Sequence, residues 1–230
     1  MSEVAASEIY QIHAWIRQIS PMIWRRLLVR SDSTVADLHF NLQIAFGWSD
    51  SHVHRFRIRG KQYGIARLGG IAFSSNAREV RLDDLRLRVN ERFLYEYDFN
   101  DWWEHQVRIE RKLPADPKRS YPVCSGGRRS GPPEGCGGPA AFLERSQSAP
   151  WQACQQLEHL AEEVSRRDVE AIRDRFEEVE SLREWLDLEK FDRRETNRRL
   201  TQYASGDDRW RWEQGRNDAH ETQNSGHRRV

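Results

Sequence analysis

Apolar and polar residues alternate along the first part of the chain at the two-residue spacing of β-strands. Residues 8–18 place their apolar side chains on one face of an extended segment, and the Ser20-Pro21 pair ends it. Residues 22–30 repeat the pattern. The alternation predicts two neighbouring strands that run antiparallel. The apolar face of the first strand consists of Tyr10, Ile12, Ala14 and Ile16.

The pattern changes to helical spacing over residues 35–46. Thr34 and Asp37 have the spacing of a capping box before this segment, and Gly47 favours a helix end after it. We therefore expect one helix that packs against the sheet. Its apolar residues recur at intervals of three and four: Val35, Leu38, Leu42, Ala45 and Phe46.

A β-hairpin gives the strongest strand signal of the chain. Residues 92–99 and 103–113 are rich in β-formers, and the turn-forming pair Asn100-Asp101 joins them. Four aromatic residues share one face of the first strand and are expected in the core: Phe93, Tyr95, Tyr97 and Phe99.

The second half of the chain predicts a loop and then helices. Residues 114–140 are rich in Pro and Gly, as in a long loop. From residue 204 the chain is polar and unpatterned, which predicts a disordered tail over 204–230. The helical segments between them are 140–147, 151–164, 169–182 and a last one, capped by Asp192 and Glu195, that reaches Tyr203.

Together these elements predict an α+β fold. A mixed, mostly antiparallel sheet should form over residues 8–113, with one packed N-terminal helix. A helical C-terminal part over residues 140–203 should pack on the sheet, so that residues 8–203 form a single domain.

Composition narrows the function classes only modestly. The net charge of +1 gives no whole-chain field towards nucleic acid or membrane, although 33 of the 37 basic residues are Arg. No apolar run is long enough for a membrane span or a signal peptide, and the three cysteines do not form a disulfide scaffold. We expect a cytoplasmic protein with free thiols at Cys124 and Cys136 and no cofactor.

Several segments together resemble the plasmid pRiA4b ORF-3-like family, found on plasmids, transposons and bacterial chromosomes. The resemblance covers roughly residues 8–200 and implies a link with mobile DNA. A resolvase activity would need a serine nucleophile in an arginine-rich N-terminal domain, and we find no such motif. The segments that carry the resemblance are "IWRR", "LQIAFGW", "SHVHRFRIRGKQYG", "RFLYEYDFNDWWEHQVRIE", "YPVCSGGRRSGPPEGCGGP" and "FDRRETNRRL".

Three positions depart from the pattern of that family. Asn100 stands where Gly is usual, and Asn tolerates the left-handed backbone that such a turn requires. Gly131 occupies the position of a usual second Cys, and Gly135 that of a usual Asp. The departures at 131 and 135 argue against a metal site or a cysteine pair in this loop.

One constellation offers candidate chemistry near the hairpin. It comprises His52, His54, Asp98, Asp101 and His105, and carboxylates with imidazoles can bind a divalent metal or act as general acid and base. The spacing matches no established metal signature. The alternative is structural, because a buried His bonded to an Asp is an ordinary core pair and Asp101 suits a turn.

An arginine ladder offers a different interpretation. Arg55, Arg57 and Arg59 share one face of the segment that follows the first helix, opposite Phe56 and Ile58. Side chains two apart on a strand lie about 6.6 Å apart, which suits contact with phosphates. The alternative is a solvated face whose arginines pair with carboxylates.

The sequence thus leaves three functions open. The leading one is a non-enzymatic binding or accessory protein of mobile DNA, with DNA contact through the sheet arginines. The others are a metal-assisted hydrolase or nuclease that uses the His/Asp constellation, and a protein–protein adaptor that works through the helical part.

Overall fold

Eight strands of this computed structural model, which describes residues 8–66 and 72–211, form one mixed sheet in the order β5-β4-β3-β6-β7-β1-β2-β8. The pairs are antiparallel except β4 with β5. The predicted α+β class is confirmed. The strands are β1 (Glu8–Ile16), β2 (Trp24–Arg30), β3 (His54–Ile58), β4 (Lys61–Gly64), β5 (Ser75–Asn76), β6 (Arg92–Tyr97), β7 (Trp103–Pro114) and β8 (Val123–Arg128).

The helices that contact the strands most extensively pack on one face of this sheet, which we call the inner face. Apolar residues at every second strand position point to it, and Ile12, Val107 and Ile109 are fully buried there. None of the described helices is both long and apolar enough to cross a membrane. The helices are α1 (Val35–Phe46), α2 (Gly138–Arg166), α3 (Val169–Leu186), α4 (Arg193–Ala204) and a 3-10 helix (Asp208–Arg211).

Helix α1 lies between the sheet and α4, and eleven of its twelve residues are buried. Thr34 and Asp37 form the predicted capping box, in which Thr34 Oγ1 accepts from Asp37 N at 3.0 Å and Asp37 Oδ2 accepts from Thr34 N at 2.8 Å. Gly47 ends the helix with a left-handed backbone, φ 85°.

The hairpin turn differs in detail from the prediction. β6 ends at Tyr97 because Asp98 adopts a left-handed backbone with φ 54°, and Trp102 does so again before β7 with φ 57°. Asn100 is not left-handed, so the tolerance we expected of it is not used. The reversal at Asp98 takes Phe99 out of the core and against Trp102, at 5.4 Å between ring centroids. The other three predicted aromatic residues are buried.

The C-terminal half also departs from the prediction in two places. Residues 114–140 are not all loop, since β8 pairs with β2. The two predicted helices before residue 165 are one continuous helix, α2, which includes Pro150. Contacts with the antiparallel α3 support α2 beyond the proline, for example a 2.7 Å hydrogen bond from Arg175 Nη1 to Gln156 Oε1.

Residues 204–211, which the sequence assigned to a disordered tail, have a defined structure. Trp210 is buried, with its ring 5.8 Å from those of Phe40 and Tyr203. Arg199 donates to the Trp210 carbonyl from Nε at 2.9 Å and from Nη2 at 2.7 Å. This single large apolar side chain orders a segment that looks polar throughout. The rest of the predicted tail, 212–230, lies outside the described residues.

A β-bulge in β7 places an extra carboxylate on the outer face of the sheet. Gln11 opposes Arg111 and Ile12 opposes Ile109, so Glu110 has no partner in β1. Its carboxylate accepts hydrogen bonds from Arg26 Nε at 2.6 Å, Gln11 Nε2 at 2.7 Å and Arg108 Nη2 at 3.0 Å. The hydrogen bond from Arg26 is the largest cause that lowers the pKa of Glu110 to about 2.

The Glu110→Gln variant should be less stable than the wild type by about 1–3 kcal/mol at pH 7, because it loses charge-assisted hydrogen bonds. The folded pKa of Glu110 lies below its ordinary value of 4.5. Its stabilisation is therefore complete above that value and is lost as the pH falls towards 2. Urea unfolding of both proteins at pH 7 and pH 3 should show a smaller difference at the lower pH. An equal or larger difference at pH 3 would contradict the assignment.

Gly131 should not tolerate a side chain, because it lies directly against the end of α1. A Cβ at this position would lie 1.8 Å from the carbonyl oxygen of Phe46, a backbone atom that cannot rotate away. We expect Gly131→Ala to destabilise the fold by about 3 kcal/mol or more. Gly135→Ala is the control: it has open space and only a left-handed backbone, φ 70°, so about 1–2 kcal/mol is expected. Thermal unfolding of both variants compares the two costs.

Candidate functional site

The five residues of the predicted His/Asp constellation lie in different surroundings. His105 is fully buried among the rings of Phe46, Trp48 and Tyr95, at centroid distances of 4.7, 5.1 and 5.1 Å. Burial lowers its pKa to about 3, so it is a neutral core residue at physiological pH. Asp101 accepts a hydrogen bond from the backbone of Gly137 at 2.9 Å, just before α2.

His52 and Asp98 do meet, at the end of β6. His52 Nδ1 lies 3.6 Å from Asp98 Oδ1. The same carboxylate oxygen accepts from the backbone of Asn100 at 3.0 Å and of Asp101 at 3.4 Å, which is the bonding of an Asx turn. The side chain of Asp98 therefore stabilises the turn.

His54 belongs to another group, on the inner face. Its partners there are His39 of α1 and Asp50 of the turn that follows α1. Each of the three offers one atom that could bind a metal ion, and these atoms all lie within 4.8 Å of one another. No other group of three or more His, Cys, Asp and Glu side chains among the described residues does so. Sequence reasoning missed His39 and Asp50, because His39 falls inside a helix that was assigned to the core. The D-x-x-x-H spacing of Asp50 and His54 was the available signal.

The arginine ladder is paired with carboxylates. Arg55 and Arg57 both form ion pairs with Glu96, which is almost completely buried beneath them. Arg59 lies just after β3 and has a left-handed backbone, φ 48°. Its side chain donates two hydrogen bonds of 2.7 Å to the carboxylate of Glu91. These three residues therefore do not form a row of unpaired cations along one strand.

The outer face of the sheet carries a broader basic feature that runs across the strands. Arg92 opposes Arg108, Arg108 opposes His13, and His13 opposes Arg26 in four adjacent strands. We call this set the basic row. Burial lowers the pKa of His13, so the charge of the row at neutral pH comes from its arginines.

A second row, directly beside the first, is apolar and aromatic. Trp15 opposes Trp24 in the neighbouring strands β1 and β2. Arg92 stacks over the ring of Trp15 at 5.9 Å, and Arg26 over the ring of Trp24 at 5.2 Å. His13 lies 5.1 Å from Trp15 and 5.2 Å from Trp24. Leu94 and Gln106 continue this aromatic row towards β3.

The outer face as a whole carries excess positive charge. We call it the open face, because α1 and α4 pack on the other side of the sheet. Three glutamates interact there with arginines: Glu96, Glu104 and Glu110. Six arginines interact with these glutamates or with Trp15: Arg17, Arg26, Arg55, Arg57, Arg92 and Arg108. The strand alternation of the sequence could have placed the tryptophans here, but it does not say which face the helices leave open.

The long antiparallel pair of helices α2 and α3 presents a third surface. Its exposed large apolar side chains are Trp151, Leu157, Val164, Val169, Phe176 and Leu186. An adaptor would need a protein partner at this surface. The existence of such a partner stays a prediction.

The surroundings of the cysteines and of the buried Arg25 indicate structural roles. None of the three cysteines forms a disulfide, and burial raises the pKa of the Cys124 and Cys136 thiols. Arg25 is buried, and its Nε donates to the Ala45 carbonyl at 2.5 Å at the end of α1. Its guanidinium lies 3.9 Å from the ring of Phe191. Arg25 thus caps the negative end of the helix dipole of α1.

Comparisons with known proteins agree with this fold. The crystal structure of a protein of unknown function, MM3350 from Methanosarcina mazei Go1, matches with a TM-score of 0.58 at 29% sequence identity, over 84% of this chain and 98% of that one. The uncharacterized protein y4hQ of Sinorhizobium fredii (strain NBRC 101917 / NGR234) is 31% identical over 139 residues, which are 60% of this chain and 71% of that protein.

The family model described as plasmid pRiA4b ORF-3-like protein matches residues 8–200. This range contains all eight strands, helices α1 to α3 and most of α4. It also contains both rows of the open face and the His39, Asp50 and His54 group. The chain belongs to the plasmid pRiA4b ORF-3-like family.

Proposed function

We propose that this protein is a non-enzymatic nucleic-acid-binding protein that holds a single strand against the open face of its sheet. The observation that carries the proposal is the position of the basic row directly beside the aromatic row. The family is named after a protein encoded on a plasmid, and this origin supports DNA from mobile elements as the biological target. Free thiols and a nucleic-acid ligand both suit a cytoplasmic location.

The two rows match the two parts of a nucleotide. Phosphates would contact Arg92 and Arg108, whose side chains stand on neighbouring strands, although Arg108 also forms an ion pair with Glu110. Bases would stack on Trp15 and Trp24, because every base offers a π-face to an aromatic ring. Arg26 and Arg92 already stack on these rings and would add cation–π interactions.

A single strand fits this face better than a double helix. The major groove of B-DNA admits a protruding helix or a two-stranded ribbon, whereas the rows here run across four strands of a broad sheet. Stacking on a sheet surface also requires unpaired bases. Arg55 and Arg57 border the aromatic row and would extend the contact, although Glu96 holds them.

The geometry gives less support to the hydrolase that the sequence left open. His105 is neutral and buried, and Asp98 and Asp101 are engaged in backbone hydrogen bonds. These side chains do not present a shared cleft to a substrate.

Replacing both Arg92 and Arg108 with Ala should weaken binding of a single-stranded oligonucleotide about 10-fold or more at low salt. Each lost phosphate contact should also reduce the slope of log K against log salt by about 0.7. Fluorescence anisotropy with labelled DNA and RNA at several salt concentrations measures both quantities. The charge-matched control Arg166→Ala/Arg173→Ala lies on α2 and α3 and should bind like the wild type. Equal losses in both double variants would contradict a site on the open face.

Trp15→Ala should weaken binding about 5- to 150-fold, the usual effect of losing one stacked base. The loss should change little with salt, since stacking releases no counterions. The matched control is Trp151→Ala, whose side chain is 67% exposed on α2 and should not affect binding. The same titration tests both. Unchanged affinity in a folded Trp15→Ala protein would remove the stacking role.

A further inference from the structure

Three potential metal ligands from neighbouring parts of the chain converge beside α1. His39 lies on α1, Asp50 in the turn after it, and His54 at the start of β3. One ring nitrogen of each histidine and one carboxylate oxygen all lie within 4.8 Å of one another. We propose that this group, the His39–Asp50–His54 cluster, binds one divalent transition-metal ion of the Zn²⁺ or Fe²⁺ class.

The orientation of His39 is that of a metal ligand with an outer partner. Its Nδ1 lies 2.8 Å from the hydroxyl of Tyr95, and its Nε2 lies 2.8 Å from Asp50 Oδ1. In protein metal sites the nitrogen that does not bind the ion is commonly held by a second group, which fixes the ring. Tyr95 is that group here, and it directs Nε2 towards the carboxylate.

Gln43 fixes the other side of the cluster. Its Nε2 donates to the Tyr95 hydroxyl at 2.7 Å, and its Oε1 accepts from the backbone N–H of Asp50 at 3.0 Å. Asp50 has a left-handed backbone, φ 62°, a conformation that non-glycine residues rarely adopt and that is enriched at functional sites. One glutamine thus positions both an outer partner and a ligand.

The donor set and its burial favour a transition metal. Two imidazole nitrogens and one carboxylate oxygen suit Zn²⁺ and Fe²⁺, whereas Mg²⁺ and Ca²⁺ prefer oxygen alone. His39 is 0% and His54 2% exposed, and the Asp50 side chain is 10% exposed. Three protein ligands leave a further coordination position, which a water molecule would fill.

Binding of an ion requires the two imidazoles to change their packing. The rings of His39 and His54 stack with 3.4 Å between centroids and 9° between planes. An ion about 2.0–2.1 Å from a nitrogen of each ring lies close to both ring planes, which parallel stacked rings do not allow. The rings must therefore tilt apart, and the ion takes the place of the contact between His39 Nε2 and Asp50 Oδ1.

The cluster is independent of the proposed nucleic-acid surface. His54 points to the inner face, on the same side of β3 as the buried Phe56 and Ile58. The open face lies on the opposite side of the sheet. Metal binding and nucleic-acid binding can therefore fail or succeed separately.

The test is metal titration of the full chain after removal of bound ions with a chelator. Isothermal titration with Zn²⁺ should show about one ion per chain, and Co²⁺ should give the visible absorption of a site with nitrogen and oxygen ligands. Asp50→Asn should weaken Zn²⁺ binding about 100-fold or more, since loss of an outer partner alone costs 10- to 100-fold. The matched control is His52→Ala, a half-buried neighbour outside the cluster, which should bind Zn²⁺ like the wild type.

Thermal unfolding keeps the test decisive if a variant is unstable. Zn²⁺ should raise the melting temperature of the wild type and of His52→Ala, and should leave that of Asp50→Asn and His54→Gln unchanged. The proposal is overturned if the wild type binds neither Zn²⁺, Co²⁺ nor anaerobic Fe²⁺ stoichiometrically. It is also overturned if folded Asp50→Asn binds like the wild type, or if His52→Ala loses binding.

Discussion

The enclosure of helix α1 is the constraint on which the rest of this structure depends. Because the sheet covers one side of α1 and α4 the other, its polar residues need partners inside the protein. Tyr95 of β6 meets this need for Gln43 and His39, and Asp50 completes the network. The C-terminal segment closes the enclosure with Trp210 against Phe40.

This enclosure gives the two faces of the sheet different chemistry. On the inner side, His39 of α1 and His54 and His105 of the sheet are buried, and burial keeps His105 neutral. On the outer face, arginines and tryptophans cover one another, and the bulge at Glu110 ties Arg26 and Arg108 into one network. We therefore place the proposed ion on the closed side and the proposed nucleic acid on the open side.

The sequence predicted what depends on local periodicity and caps. Alternation located β1 and β6, and the Thr34–Asp37 box and Gly47 marked both ends of α1. It did not predict what depends on tertiary contacts. The left-handed Asp98 moved Phe99 out of the core, and Trp210 ordered a segment that has no periodicity of its own.

The candidate sites show the same division. Of the predicted constellation, His52 and Asp98 meet, whereas His54 joins His39 and Asp50 in a group that brings together a helix, a turn and a strand. The basic row joins two hairpins, β1–β2 and β6–β7, that are distant from each other along the chain. The sequence indicated each hairpin, but not the pairing of β7 with β1 that brings Arg108 next to His13.

The most direct test of the open-face account is photo-crosslinking of a single-stranded oligonucleotide to the full chain, with the linked peptides identified by mass spectrometry. The account predicts crosslinks in peptides of β1 and β2 that contain Trp15 and Trp24, and in peptides of β6 and β7 that contain Arg92 and Arg108. Crosslinks confined to α2 and α3, or none under conditions that crosslink a known single-strand-binding protein, would contradict it.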